Sequence, residues 1–106
     1  MKRFSFLFLA LLLTATAAAP SAPEVHIRND AFNPPVLTVE VGQSVTFTNN
    51  DDDAHTVTAT DGTFDSKGLD TNGVWRHAFT QAGTYRYFCQ LHPFMKGTIV
   101  VKARGS

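Results

Sequence analysis

Beyond about residue 24, apolar and polar residues alternate with a period of two, which predicts β-strands rather than helices. The alternation occurs in five segments, whose apolar members are Val25/Ile27, Leu37/Val39/Val41, Val45/Phe47, Val57/Ala59 and Tyr85/Tyr87/Cys89. Turn-forming residues separate them, as at Asn33-Pro34-Pro35 and Asn72-Gly73. Residues 60–72 are the least regular, and we expect a crossing loop there. This pattern predicts an all-β chain, an antiparallel β-sandwich or barrel.

The first nineteen residues have a different character. Lys2 and Arg3 precede an apolar run over residues 4–13, and small residues fill positions 14–19. This order predicts a signal peptide (residues 1–19) that is cleaved near residues 17–19, followed by one domain over 20–106. We therefore expect a periplasmic or otherwise exported protein. The apolar run is shorter than the roughly 20 residues that span a bilayer, so we expect no stable membrane insertion after cleavage. An uncleaved anchor is the alternative.

Charge excludes one class of partner. The chain has nine basic and nine acidic residues, and loss of Lys2 and Arg3 leaves seven basic against nine acidic, a net charge of −2. Such a domain offers no basic face for nucleic acid. The single charge run, Asp51-Asp52-Asp53, is interpreted as a solvated turn, with weak steering of a partner as the alternative.

Cysteine usage gives the first indication of chemistry. A mature domain of roughly 85–90 residues buries only about 60–65% of its unfolded surface, and small exported domains often add disulfides. This chain cannot form an internal disulfide, because Cys89 is its only cysteine. A lone thiol is a liability in an oxidising compartment, which indicates that Cys89 binds a ligand or performs a chemical task.

Three potential metal ligands lie together near the C-terminus. Cys89, His92 and Met95 are separated by two residues each time, on a tight loop between two predicted strands. His55 begins another strand just after a turn, where a sandwich can bring it alongside that loop. Two imidazoles, a thiolate and a weak axial thioether form the ligand set of a type 1 copper centre. Zinc is the rival metal, but a thioether is a poor zinc ligand.

The C-terminal motif resembles a known family. Cys89-x-x-His92-Pro93-Phe94-Met95-x-Gly97, preceded by Ala82-Gly83-Thr84-Tyr85-x-Tyr87, is similar to the cupredoxin (type 1 blue copper) family, most of all to its amicyanin branch with the same short loop. The resemblance implies a Greek-key β-sandwich of about seven or eight strands. It also implies one copper ion bound by ring nitrogens of His55 and His92, the Cys89 thiolate and, axially, Met95.

The resemblance assigns supporting roles as well. Tyr85 matches the family's tyrosine corner, and Pro93 and Phe94 would form an apolar rim around His92, the expected electron port. Thr56 departs from the pattern, because many members have Asn directly after the first ligand histidine, where it helps tie the two ligand loops together. A threonine hydroxyl can still form a hydrogen bond, and its backbone N–H is still available to the Cys89 sulfur.

These features favour a soluble, monomeric carrier of single electrons that cycles between Cu(I) and Cu(II). Transient partners would be exported redox proteins such as a c-type cytochrome or a dehydrogenase. A periplasmic copper-binding or delivery protein with the same fold is the alternative, since the same donors would serve it. An enzyme is not expected, because copper oxidases with this fold need a second copper site and more than one such domain. A metal-free interaction domain would leave the four donors unexplained.

Overall fold

The computed structural model describes residues 22–105, so the predicted signal peptide lies outside the described residues. The described part contains eight strands: β1 (Glu24–Arg28), β2 (Ala31–Asn33), β3 (Val36–Glu40), β4 (Ser44–Asn49), β5 (Thr58–Ala59), β6 (Val74–Ala78), β7 (Gly83–Phe88) and β8 (Lys96–Lys102). Nowhere in residues 22–105 is there a helix with the length and apolar character needed to cross a membrane.

The strands form two four-stranded sheets, ordered β2-β1-β4-β6 and β3-β8-β7-β5. The predicted β-sandwich and its number of strands are therefore confirmed. The pairing is mixed rather than wholly antiparallel, because β1 pairs with β4 and β3 pairs with β8 in parallel. A parallel pair needs a crossover connection, and here the chain makes it by visiting the opposite sheet between the two strands.

Two prolines mark the first crossing between sheets. Pro34 and Pro35 follow β2 and precede β3, which belongs to the other sheet. Neither proline has an N–H for a ladder hydrogen bond, so strand pairing is interrupted there. The Pro35 carbonyl instead accepts a hydrogen bond from Thr98 N, at 2.9 Å, at the start of the β3–β8 pairing.

The core fills the space between the sheets with alternate side chains of β1, β4, β7 and β8, as the period of two predicts. The segment around β5 differs, because Thr56 and Thr58 are buried as well as Val57 and Ala59. The expected crossing loop covers this segment: Ser66 N donates to the Val57 carbonyl at 2.9 Å and Ala59 N to the carbonyl of Phe64 at 2.9 Å. Both faces of the segment are therefore shielded from water.

Two tyrosines of β7 have distinct structural roles. The Tyr85 hydroxyl donates to the Gln81 carbonyl at 2.7 Å, which is the tyrosine-corner contact expected at this position. Tyr87 is fully buried, and its ring packs edge-on against Phe32 and Phe47. Its ring also occupies the space in which a Cβ atom of Gly97 would lie. Position 97 therefore requires glycine because Tyr87 fills the core beneath it.

His77 lies in an aromatic cluster at one edge of the sandwich. Its ring stacks on Trp75, with centroids 5.1 Å apart, and contacts Phe64 and Phe79 at 5.0 and 4.9 Å. Partial burial lowers the pKa of His77 below its ordinary value, because the protonated ring is poorly solvated there. The cluster thus favours the neutral imidazole, in agreement with a structural role for His77.

Replacement of Gly97 by alanine tests the contact with Tyr87. The new methyl group would overlap the tyrosine ring, and overpacking of a core typically costs about 1–3 kcal/mol of unfolding free energy. We expect a correspondingly lower denaturant midpoint for Gly97→Ala. Gly68→Ala is the matched control, because a Cβ atom there meets nothing within 4 Å. Equal midpoints for the two variants would show that Tyr87 does not confine position 97.

The depressed pKa of His77 makes stability depend on pH. The unfolded chain binds a proton at this histidine near the ordinary pKa of about 6.5, while the folded chain binds it only at lower pH. Stability is therefore full above the unfolded pKa and declines as pH falls through the folded one. The melting temperature of the wild-type protein is expected to fall between pH 7 and pH 5, and we expect a smaller fall in His77→Phe. An unchanged decline in this variant would exclude His77 as its source.

Candidate metal centre

The β7–β8 hairpin loop brings three of the predicted ligands together. The strands pair up to Phe88 and Lys96, so the loop begins at Cys89 and ends at Met95. Cys89 N donates to the Met95 carbonyl at 3.2 Å, and Met95 N donates to the His92 carbonyl at 2.9 Å. Cys89 and Met95 are buried, whereas His92 is half-buried. The loop therefore closes on itself, with its first and last residues inside.

The fourth predicted ligand, His55, lies on a segment 34 residues before Cys89 in the sequence. Its backbone forms a two-way bridge with Leu69, in which His55 N donates at 3.1 Å and Leu69 N at 2.7 Å. The buried Asn49 amide supports this bridge by donating to the carbonyls of Leu69 and Asp53, both at 2.8 Å. These hydrogen bonds fix the backbone of His55 and of the turn before it. The His55 side chain itself is completely buried.

Three donor atoms converge at one point. Cys89 Sγ lies 3.7 Å from Nδ1 of His55 and 3.8 Å from Nδ1 of His92, and the two imidazole centroids are 4.8 Å apart. Metal bonds of about 2.0 Å to nitrogen and about 2.3 Å to sulfur, at trigonal angles, place N and S about 3.7 Å apart. The thiol and the two imidazoles thus fit one metal ion, with Met95 completing the loop beside them.

Thr56 connects the two ligand-bearing segments. Its backbone N–H donates to Cys89 Sγ at 3.3 Å, and its hydroxyl accepts a hydrogen bond from Gln90 N at 2.8 Å. A hydrogen bond to sulfur stabilises the thiolate form of a cysteine and orients it. Thr56 therefore contacts two successive residues of the loop, Cys89 and Gln90, although it is not the asparagine common in the family that the sequence resembles.

Asp51 is a supporting residue that sequence reasoning missed. Its carboxylate lies 2.9 Å from His55 Nε2 and accepts hydrogen bonds from the backbone N–H groups of Asn29 and Asp30 at 2.7 and 3.0 Å. Burial acts to raise the pKa of Asp51, but these two backbone bonds and the contact with His55 outweigh it and hold the pKa below its ordinary value. An ionised Asp51 accepts a hydrogen bond from Nε2–H of His55, so the proton stays on Nε2 and Nδ1 is free to bind a metal.

The sequence contains only a weak signal for this contact. Asp51 and His55 are four residues apart, a spacing that brings side chains together on a helix but has no fixed meaning in a turn. The run 51–53 was interpreted as a solvated turn, which describes the exposed Asp52 and Asp53 but not Asp51. The partner loop at residues 29–30 is distant in sequence, so only the fold identifies the role of Asp51.

The exposed side of the loop is apolar. Leu91 and Phe94 have relative exposures of 56% and 68%, and Pro93 is exposed between them. The Phe94 ring lies 6.1 Å from the His92 ring. On another side of His92, oxygens of Asp30 and Asp53 lie within 4.8 Å of a ring nitrogen of this histidine. The half-buried imidazole therefore has apolar side chains and acidic side chains as neighbours.

Known proteins with similar sequences include amicyanins. Amicyanin-alpha of Methylorubrum extorquens is 34% identical over 102 residues, which cover 88% of this chain and 86% of the relative. Amicyanin of Paracoccus denitrificans is 34% identical over 93 residues, covering 83% of this chain and 71% of the relative.

Solved structures agree with these relatives. A point mutant of amicyanin in its Cu(I) form superposes with a TM-score of 0.74 at 32% identity, covering 83% of this chain and 89% of that chain. A purple cupredoxin from Nitrosopumilus maritimus superposes with a TM-score of 0.71 at 28% identity, covering 76% and 99%. The family model for the cupredoxin-like domain matches residues 3–101 of this chain. The chain therefore belongs to the cupredoxin-like family, and within it resembles the amicyanins.

Proposed function

We propose that this chain is an exported carrier of single electrons that binds one copper ion through His55, Cys89, His92 and Met95. The convergence of the buried Cys89 sulfur with two imidazole nitrogens at 3.7 and 3.8 Å carries this proposal. Copper bound there would supply a one-electron couple between Cu(I) and Cu(II). A soft thiolate, two imidazoles and a weak thioether suit both oxidation states better than they suit zinc.

The protein's contribution is to hold these donors still. Asp51 orients the His55 ring from one side, and the Thr56 N–H orients the Cys89 sulfur from another. The β7–β8 ladder fixes both ends of the loop that carries the remaining donors. Donors that are already in place need little movement when an electron arrives or leaves, so electron transfer is fast. All four would be occupied by the metal, which leaves no position for a substrate and argues against an enzyme.

Electrons would enter and leave through His92, the donor nearest the surface. The exposed Leu91, Pro93 and Phe94 offer a partner a small apolar contact around this imidazole. Small contacts of this kind are typical of transient redox encounters. Asp30 and Asp53 beside His92 would favour a partner with positive charge at its own port, such as a c-type cytochrome or a dehydrogenase with a basic docking face.

Copper delivery by the same site is the competing function. Both functions need the same donors, but they differ in how long the metal stays. A carrier keeps its copper through many redox cycles, whereas a delivery protein releases it to an acceptor. The buried Cys89, Met95 and His55 favour retention, because only His92 is open to an approaching acceptor.

Replacement of Cys89 by serine tests the metal centre. The copper-loaded wild-type protein is expected to show an intense visible Cu–thiolate band and a reversible one-electron wave. Cys89→Ser is expected to lose both, because an alcohol cannot supply the soft thiolate. Met95→Leu is the control, since it removes a weak donor and is expected to keep the band while changing the potential.

Two results would contradict this assignment. A wild-type protein that stays colourless with bound Cu(II) would rule out the type 1 centre. A coloured protein that loses its copper to a Cu(I) chelator within a few redox cycles would favour delivery over electron transfer.

Truncation of Phe94 tests the docking surface. We expect Phe94→Ala to slow electron self-exchange between the Cu(I) and Cu(II) forms several-fold, because two copies must approach through the same apolar rim. Its visible band and potential are expected to stay unchanged. Val74→Ala is the matched control, since Val74 is similarly exposed, at 60%, but lies on edge strand β6. Equal self-exchange rates for the two variants would exclude Phe94 from the port.

A further inference from the structure

A chain of hydrogen bonds connects the metal-binding loop to a carboxylate on the far side of two buried threonines. Gln90 N donates to Thr56 Oγ1 at 2.8 Å, the hydroxyls of Thr56 and Thr58 lie 2.9 Å apart, and Thr58 Oγ1 donates to Asp65 Oδ1 at 3.2 Å. Thr56 and Thr58 are only 4% and 7% exposed. Water therefore has little access to the middle of the chain, and the polar atoms must satisfy one another.

The carboxylate at the end fixes the direction of every bond. Asp65 also accepts a hydrogen bond from Lys67 N at 2.9 Å, and this bond above all holds the pKa of Asp65 below its ordinary value. An ionised carboxylate can only accept, so the single proton of Thr58 points to Asp65. The proton of Thr56 then points to the oxygen of Thr58. The oxygen of Thr56 is left to accept the Gln90 N–H, and no donor or acceptor in the chain competes with another.

This chain of hydrogen bonds lies directly beside the proposed metal donors. Thr56 directly follows His55, and Gln90 directly follows Cys89. Thr56 also donates its backbone N–H to the Cys89 sulfur at 3.3 Å. Whatever holds the Thr56 side chain in place therefore holds the segment of His55 against the loop of Cys89. Aligned hydrogen bonds that end on a charge strengthen one another in a buried setting.

We propose that Asp65 is a positioning residue for the metal centre, which acts through Thr58 and Thr56 to anchor Gln90 and so to set the hydrogen bond received by the Cys89 sulfur. The effect of Asp65 on a metal rests on the proposed function, but the anchoring of Gln90 by these hydrogen bonds does not. Asp65 contacts none of the proposed ligands, and it lies on the irregular loop that closes over β5.

Amide hydrogen exchange tests the anchor in the full-length protein, as isolated and again after addition of Cu(I). Thr58→Val removes the middle hydroxyl at nearly constant shape, and Asp65→Ala removes the terminal acceptor. Both are expected to speed exchange at Gln90 N about tenfold relative to the amides of β8. Thr58→Val deprives the Thr56 hydroxyl of its acceptor, whereas Asp65→Ala deprives the Thr58 hydroxyl of its acceptor, and in both variants the Thr56 hydroxyl is no longer held in place. Asp65→Asn keeps an acceptor oxygen and is expected to retain most of the protection.

The variants separate the anchor from simple loosening of the loop. Asp65→Ala also removes the acceptor of Lys67 N, so exchange at Lys67 is expected to rise in this variant but not in Thr58→Val. Asp61→Ala is the matched control, because Asp61 accepts hydrogen bonds from Thr63 in the same loop and has no part in the chain from Asp65 to Gln90. It is expected to leave Gln90 unchanged. Exchange at Gln90 that stays at the wild-type rate in both Thr58→Val and Asp65→Ala would overturn the proposal.

The copper-loaded variants test the consequence. A hydrogen bond to the thiolate favours the more electron-rich reduced centre, so weakening it is expected to lower the reduction potential in Thr58→Val and Asp65→Ala but not in Asp61→Ala. Faster exchange with an unchanged potential would overturn the role of Asp65 at the metal centre. A wild-type protein that binds no copper would end the proposed function instead, while exchange at Gln90 would still decide whether the anchor exists.

Discussion

The antiparallel pairing of β7 with β8 is the constraint on which the site depends. It ends at Phe88 and Lys96, so the loop between the strands has a fixed length and its first and last residues, Cys89 and Met95, are held side by side. The same pairing sets Tyr87 opposite Gly97, where the tyrosine ring takes the space of a side chain. Core packing directly beneath the loop therefore resists a shift in register, because a shift of one residue would turn the side chains of the shifted strand to the opposite face of the sheet.

The remaining donor depends on contacts between distant segments. His55 lies on a segment that contributes only two residues to a sheet, so strand pairing alone cannot position it. Side-chain hydrogen bonds do this instead: the Asn49 amide fixes the turn before His55, and Asp51 orients the ring. These groups are buried or half-buried, where an unsatisfied polar atom costs about 1–3 kcal/mol, so they act as a set. Strand pairing between β7 and β8 thus fixes the loop that carries three of the proposed donors, and a network of polar side chains fixes His55.

This division explains how much the sequence could predict. The C-terminal motif is local, so its spacing predicts a metal loop, and the period of two predicts an all-β sandwich or barrel. The number of strands is what the resemblance to the cupredoxin family implies. The parallel pairs were not predicted, because alternation along a strand is the same whichever way its neighbour runs. The burial of Thr56 and Thr58 was not predicted either, since it depends on how residues 60–72 fold over them. Asp51 and Asp65 were missed for the same reason, because their partners are set by loops.

The substitution at position 56 shows why the motif and the network follow different rules. The proposed donors must match a metal ion, so their identities leave little freedom, but a residue that joins two loops needs only to satisfy the polar groups it meets. Thr56 has one hydroxyl, which accepts from Gln90 and therefore needs an acceptor for its own proton. Thr58 is that acceptor, and Asp65 in turn accepts from Thr58. The charged end of this network, Asp65, therefore lies two hydrogen bonds away from Thr56, the residue that contacts the sulfur, and it does not compete with the proposed donors for a metal.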